Sequence, residues 1–182
     1  SHTYSCLKHD RVQPNTLLAE QAGLACENGI VVDQFARTSD VDIVAAGDCT
    51  NQPDCMGEGR VRLETVHNAV EQAKIAAATL CDKPREYRQI PWVWTDQYDQ
   101  RIQMLGRHSG YDQSVLRGEP EKQRFSVLYY AQGQLIGMCA INRVVDFGAC
   151  RRLMDEGIEL PIEQARDPAC QLQTFGMQTK RQ

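Results

Sequence analysis

The sequence of 182 residues lacks the features that identify several common classes of protein. It has no run of about 20 apolar residues, which a membrane-spanning helix needs. It also has no basic segment leading into an apolar one, the pattern of a secretion signal. Its net charge of −4 argues against nucleic-acid binding, for which a strongly basic face is expected. We therefore expect a globular cytoplasmic protein.

The eight cysteines contain no C-x-x-C pair, and the four histidines show no partnering interval. Zinc ribbons and iron–sulfur sites use closely spaced pairs, because one turn must present two thiolates to one ion. We therefore expect no metal site, and we expect free, mostly buried thiols. The sequence also has no G-x-G-x-x-G, the glycine loop that cradles dinucleotide phosphates.

Charge is distributed unevenly along the chain. Residues 1–84 hold 7 Lys and Arg against 12 Asp and Glu, whereas residues 85–182 hold 13 against 12. The second part is therefore the one that could meet an acidic partner.

The first part reads as short mixed α and β elements. Pro14 and Asn15 predict a turn into a short helix with Leu17 and Leu18 inward, and Gly23 predicts its C-terminal cap. Strands are predicted at residues 30–32 and 43–46, followed by a loop at 51–59.

The clearest predicted element is an amphipathic helix of about five turns. Apolar residues recur there at intervals of three and four: Leu63, Val66, Val70, Ala73, Ala77 and Leu80. The segment 84–90 then reads as a domain boundary.

From Trp92 onward the apolar pattern has a period of two. Trp92 and Trp94 share one face, and strands are predicted at residues 102–105, 114–117, 125–130 and 135–141. The last two flank a compact turn with Gly133, which predicts an antiparallel hairpin. A helix is predicted at residues 147–154, and the Gln-rich tail after Pro161 carries no clear pattern.

Gly47 and Asp48 end the second predicted strand. Glycine lets a ligand approach the backbone, and a carboxylate can accept hydrogen bonds from sugar or ribityl hydroxyls. A strand that ends in Gly-Asp is more often a simple turn, so this pair needs its context.

That context is long and ordered. A-A-G-D-C-T at residues 45–50 follows T-S-D-V-D-I, and R-L-E-T-V-x-N-A-x-E-Q-A-K begins at Arg62. The segment P-W-V-W-T-D-Q-Y-D begins at Pro91. Over residues 12–155 the chain resembles the C-terminal part of the FAD-dependent NADH:ferredoxin reductases that serve Rieske dioxygenases and some cytochromes P450.

The resemblance implies a set of cofactor-binding residues. Gly47 and Asp48 would hold the ribityl and phosphate part of FAD, and Glu64, Thr65 and Val66 would form the helix N-terminus that faces the flavin. Val66 would act through its backbone while its side chain stays in the core. The positive end of a helix dipole stabilises negative charge on a reduced flavin.

Trp94 would lie beside the flavin ring on the side of the ferredoxin, although Trp92 and Trp94 could equally fill a small sheet core.

The resemblance implies FAD as cofactor and NADH as co-substrate. It also implies a 2Fe-2S ferredoxin of an aromatic-ring dioxygenase or a similar oxygenase as partner, with a homodimer possible. Residues expected to form the docking face are Arg101, Arg107, His108, Arg143, Arg151 and Arg152. Scattered arginines are more often only a solvated surface. His67 is expected to lie at the helix end without a catalytic role, and no acid or base is identified.

We therefore predict an α+β fold: a remnant of a Rossmann-like FAD domain at residues 12–84, then a reductase C-terminal domain at 88–182. The second domain should be a small antiparallel sheet with one or two helices. Residues 1–11 do not match the family. The chain alone is expected to be inactive, since the glycine loops would come from an upstream part. Two alternatives stay open: a cofactor-free module for ferredoxin docking or dimerisation, and part of a pyridine-nucleotide disulfide reductase.

Overall fold

A computed structural model describes residues 12–176, so the non-matching segment 1–11 lies outside the described residues. The chain divides into two compact units, one ending at Tyr87 and the other starting at Arg88. Helices and strands occur in both, so the fold class is α+β as predicted. Within residues 12–176 no helix is long and apolar enough to cross a membrane. The same residues contain no cluster of three or more His, Cys, Asp or Glu that could bind a metal ion.

The first unit contains a three-stranded sheet and two helices. Its elements are α1 (Leu17–Gln21), β1 (Ile30–Val31), β2 (Thr50–Pro53), β3 (Arg60–Val61) and α2 (Val66–Leu80). Strand β2 is central, parallel to β1 and antiparallel to β3. A small core forms where Ile75 and Ala76 of α2 meet Ala36 and Tyr87.

One strand prediction and one loop prediction in this unit were wrong. Residues 43–46 do not form a strand, because a single bridge between Val44 and Arg37 is their only ladder contact in the described chain. A strand forms instead at β2, which overlaps the start of the loop predicted at residues 51–59, although its Thr50, Asn51 and Gln52 are polar. All three are buried, which sequence patterns do not anticipate for polar residues.

The apolar face of α1 was also predicted wrongly. Leu17 and Leu18 are exposed by 61% and 82%, and Ala19 is the residue that turns inward. Gly23 does follow the helix with a positive φ of 75°, a conformation that favours glycine at a helix C-terminus.

Helix α2 is shorter than predicted, and it buries the face opposite to the predicted one. It spans 15 residues, and Thr65 caps its N-terminus. The predicted apolar stripe faces outward, since Val66 is 65% exposed and Leu80 is 64% exposed. The buried residues are Asn68, Gln72, Ile75 and Ala76. Half of the inward face is therefore amide side chains.

The second unit is a five-stranded antiparallel sheet with helices. Its strands are β4 (Trp92–Gln97), β5 (Gln100–Gly106), β6 (Gln113–Glu119), β7 (Arg124–Ala131) and β8 (Gln134–Ile141), in the order β4-β5-β8-β7-β6. A 3₁₀ turn at Pro120–Lys122 joins β6 to β7. The β7–β8 hairpin closes at Ala131 and Gln134, which confirms its prediction. The close β5–β8 pairing requires glycine at 137, because a Cβ there would lie 2.1 Å from the Arg107 carbonyl oxygen.

Helix α3 (Val144–Asp155) covers β8 and β5, and α4 (Ile162–Arg166) packs on β6. The core between helices and sheet includes Leu105, Leu128 and Met138 from the strands. The tail that carried no sequence pattern also contributes to this core, since Leu172 is almost fully buried. Burying such side chains stabilises a fold by about 1.5–3 kcal/mol each.

Candidate flavin-facing site

The Gly47–Asp48 pair forms a turn rather than the end of a strand. The Thr50 backbone N–H donates to the Gly47 carbonyl oxygen at 3.0 Å, and the Thr50 hydroxyl donates to the same oxygen at 2.8 Å. Gly47 has a φ of 92°, which side-chain-bearing residues rarely adopt. The carboxylate of Asp48 is exposed at the tip of this turn. The chain then enters β2 directly.

A buried amide network fixes this turn to helix α2. The Gly47 backbone N–H donates to Gln72 Oε1 at 2.7 Å, and Gln72 Nε2 donates to Gln52 Oε1 at 2.6 Å. Gln52 Nε2 then donates to Asn68 Oδ1 at 3.1 Å, and Asn68 Nδ2 donates to the Leu63 carbonyl oxygen at 3.1 Å. We call Gln52, Asn68 and Gln72 the amide ladder. Because each amide is satisfied by the next, the ladder sets the distance between the turn and the helix start.

The N-terminus of α2 begins beside the far end of the ladder. Thr65 has an extended backbone, and its hydroxyl accepts a hydrogen bond from the Asn68 N–H at 3.1 Å. Such a cap is worth about 1 kcal/mol to a helix. Glu64 and Thr65 are therefore at the helix start, as predicted. The Val66 side chain is not in the core, contrary to the prediction, because the inward face of the helix begins at Asn68.

The structure brings Asp48 and Glu64 to one open depression of about 350 Å³. The other lining residues are Val12, Gln13, Pro14, Asn15, Cys49 and Arg62. Sequence reasoning did not identify Arg62 or Pro14 and Asn15 as site residues. Arg62 forms an ion pair with Glu64, and its Nη2 donates to the Val12 carbonyl oxygen at 2.9 Å. Two carboxylates and one guanidinium thus surround a depression suited to hydroxyl-bearing groups, which can donate hydrogen bonds to a carboxylate.

His67, assigned no catalytic role, follows directly in the first turn of α2 and is half-buried.

In the second unit, Trp94 lies on β4 on the same face as Trp92, with ring centroids 5.3 Å apart. Trp92 also packs edge-on against Phe147, and the Arg151 guanidinium lies 5.0 Å from its ring. Trp92 thus has the core role, and Trp94 extends beyond it opposite Gln103. Both tryptophans are half-buried, and Trp92 is the one that packs against the core of the unit. The assignment of Trp94 to the flavin stays a prediction.

The predicted docking arginines do not share one environment. Arg143 is bound to the buried Asp146, which also accepts a hydrogen bond from Ser126 at 2.7 Å. Arg152 Nη2 donates to the Phe175 carbonyl oxygen at 2.6 Å. These two arginines hold the unit together. Arg101, at the start of β5, lies 3.5 Å from Asp96 with half of its side chain exposed.

Arg107 follows the other end of β5, about 20 Å away for a strand of this length. Arg151 is 38% exposed and pairs with Asp155 at 3.6 Å. His108 adds no charge at neutral pH, because loss of water around its ring lowers its pKa, and its Nε2 lies 3.0 Å from the Met138 carbonyl oxygen.

The seven described cysteines are free thiols, but the expectation that most are buried was wrong. Only Cys150 is fully buried, whereas Cys55 and Cys81 are exposed.

Comparison with known proteins agrees with the two-unit division of the chain. Residues 92–176 match the family described as "Reductase C-terminal", and residues 12–73 match the family described as "Pyridine nucleotide-disulphide oxidoreductase". Rhodocoxin reductase of Rhodococcus erythropolis is 41% identical over 86% of this chain and 36% of its own length.

Two solved structures share the fold closely. The ferredoxin reductase for the CYP199A2 system of Rhodopseudomonas palustris superposes with a TM-score of 0.86 at 38% identity, over 91% of this chain and 41% of its own. The reductase in the covalent putidaredoxin reductase–putidaredoxin complex gives 0.85 at 34% identity, over 93% and 41%. The chain spans 35% to 41% of the length of four curated relatives.

Proposed function

The chain belongs to the ferredoxin reductases of oxygenase electron-transfer systems, and from this membership we propose that it supplies one wall of an FAD site together with the reductase C-terminal domain. The boundaries proposed for these parts are residues 12–84 and 88–182. The observation that carries the proposal is the amide ladder, which ties the Gly47–Asp48 turn to the start of α2. A packing helix alone would not need buried amides aimed at a turn.

In this proposal Asp48 accepts hydrogen bonds from ribityl hydroxyls of FAD. Its carboxylate is exposed on a rigid turn and opens into the depression, which supports this role. The backbone N–H groups of Glu64, Thr65 and Val66 face the flavin at the positive end of the α2 dipole. The outward side chain of Val66 does not interfere, since the contact would use its backbone.

The bound FAD would accept hydride from NADH and release electrons singly to a ferredoxin. The residues of this chain bind, orient and shield it. The glycine loops that hold the FAD and NADH phosphates would belong to sequence outside this chain. We further propose a 2Fe-2S ferredoxin as partner, an aromatic-ring dioxygenase or related oxygenase downstream, a cytoplasmic location and a possible homodimer.

We propose that Trp94 shields the flavin ring in the complete reductase. For ferredoxin docking we retain Arg101, Arg107 and Arg151 as the contact residues. Arg143 and Arg152 are proposed to act indirectly, because their guanidiniums are held by Asp146 and by the Phe175 carbonyl. Charges at the edge of an interface mainly change the rate at which the two proteins associate.

The Asp48→Asn substitution tests the FAD site. Loss of charge-assisted hydrogen bonds should weaken FAD binding about 10- to 100-fold, measured by quenching of flavin fluorescence in the reductase that contains this chain. Asp42→Asn is the matched control, since Asp42 is an exposed carboxylate of the same unit outside the depression. Equal affinities of both variants would reject the assignment of Asp48. A protein that stays colourless with excess FAD would favour the cofactor-free docking module.

Charge reversal tests docking in the FAD-loaded reductase. Arg151→Glu should lower the rate of ferredoxin reduction several-fold at low salt and spare reduction of ferricyanide. Lys122→Glu is the control, since Lys122 is an exposed cation that is also paired with a carboxylate, in the turn between β6 and β7. The same loss with both acceptors would show that Arg151 supports the fold instead.

A further inference from the structure

Arg62 is the only cation that lines the depression beside Asp48 and Glu64 in the described chain. Its side chain is only 9% exposed, although it lies between the short strand β3 and the start of α2. Burial of a guanidinium is costly unless it is paired. Arg62 is paired twice, with the Glu64 carboxylate and with the carbonyl oxygen of Val12, which lies 50 residues earlier.

The two contacts join opposite sides of the depression. Val12 begins the segment that continues through Pro14 and Asn15, and Glu64 precedes the capping residue of α2. The Asp48 side is already fixed through the amide ladder. Arg62 therefore fixes the remaining side, through its contacts with Glu64 and with the Val12 carbonyl oxygen.

The burial of Arg62 also carries a cost in stability. The Nε–H of Arg62 is buried without a hydrogen-bond partner among the described residues. An unpaired buried N–H costs about 1–3 kcal/mol. Buried polar groups without a partner are uncommon in folded proteins, and each one needs an explanation at its own site.

We propose that Arg62 is a positioning residue of the flavin site. Its two-point contact holds the segment 12–15 and Glu64 at the separation that the ligand requires, and its charge neutralises Glu64 so that two carboxylates do not repel an anionic flavin. This inference rests on the proposed function for the identity of the ligand. The contact itself can be tested without any ligand.

Amide hydrogen exchange of this chain tests the contact. Arg62→Met should speed exchange at least tenfold in the segment around Val12–Gln21 and in the first turn of α2, with no change in β7 and β8. Arg85→Met is the control, since Arg85 is an exposed arginine of the same unit outside the depression. Unchanged exchange in Arg62→Met would overturn the proposal. Equal acceleration throughout the first unit would also overturn it, because Arg62 would then only stabilise the fold.

FAD titration of the reductase that contains this chain tests the link to the ligand. Arg62→Met should weaken FAD binding at least tenfold. Arg62→Lys should recover only part of that loss, because one ammonium cannot reproduce the planar two-point contact. Full recovery by lysine, or unchanged affinity in Arg62→Met, would overturn the positioning role. If the unsubstituted reductase binds no FAD, the proposed function fails, and the exchange experiment alone decides whether Arg62 positions this depression.

Discussion

Replacing Gln72 by leucine is the strongest single test of the amide ladder. Gln72 is 2% exposed, and it accepts from the Gly47 N–H and donates to Gln52. The apolar pattern of the sequence assigns Gln72 to the polar face of α2, which was expected to point outward. By the structure it is among the most buried side chains of the first unit.

The expected cost can be estimated from the groups left unpaired. Leucine would leave the Gly47 N–H and Gln52 Oε1 without partners, whereas the Thr50 hydroxyl would keep its bond to the Gly47 carbonyl oxygen. Each orphaned group costs about 1–3 kcal/mol, and the added apolar contact returns about 1 kcal/mol. We expect a loss of about 1–5 kcal/mol, centred near 3 kcal/mol, which is a large fraction of the stability of any small domain.

The two units can be followed separately. Both tryptophans lie in the second unit, so tryptophan emission during urea unfolding reports on that unit. Amide exchange of α2 reports on the first unit. Gln72→Leu should lower the protection of α2 and leave the tryptophan transition unchanged.

Val70→Ala is the matched control, because the sequence pattern assigns Val70 to the core and the structure leaves it 47% exposed. This substitution should change the stability by no more than about 0.5 kcal/mol, as exposed positions usually do. A larger loss from Val70→Ala than from Gln72→Leu would refute the orientation of α2 in this unit.

Three further predictions follow from buried groups. Burial raises the pKa of Tyr87 to about 12, above the unfolded value near 10. The first unit should therefore lose about 2–3 kcal/mol of stability as the pH rises from 10 to 12, measured by amide exchange of α2. Tyr87→Phe should abolish that pH dependence. Cys150, whose pKa burial raises to about 12, should resist iodoacetamide at pH 8 while Cys81 reacts, as mass spectrometry would show; rapid Cys150 labelling would contradict its burial. Arg117 donates hydrogen bonds to the carbonyl oxygens of Ala165, Asp167 and Cys170. Arg117→Met should therefore destabilise the second unit by about 2–4 kcal/mol, measured from the tryptophan emission during urea unfolding. An unchanged midpoint would contradict this anchoring.

Some elements of the fold were encoded locally and could be predicted. The β7–β8 hairpin has alternating apolar residues around a glycine turn, and α3 lies within three residues of its prediction. The start of α2 was also predictable, because Thr65 and Asn68 form a cap from residues three apart.

The buried face of α2 and the strand β2 could not be predicted. Periodicity assumes that the inward face of an element is apolar, and here Asn68 and Gln72 are inward because Gln52 and the Gly47 N–H satisfy them. Those partners lie 16 to 25 residues away in the sequence. Arg62 could not be predicted either, because its partner Val12 lies 50 residues earlier in the sequence.

The sequence by itself determined the family and drew attention to the Gly47–Asp48 pair, because G-D-C-T and the motif that follows it are contiguous strings of residues. Only the tertiary structure decided which side chains support that turn and which arginines remain exposed for a partner. Such contacts depend on long-range hydrogen bonds, and a buried amide or guanidinium is stable only where the folded chain brings a distant partner to it.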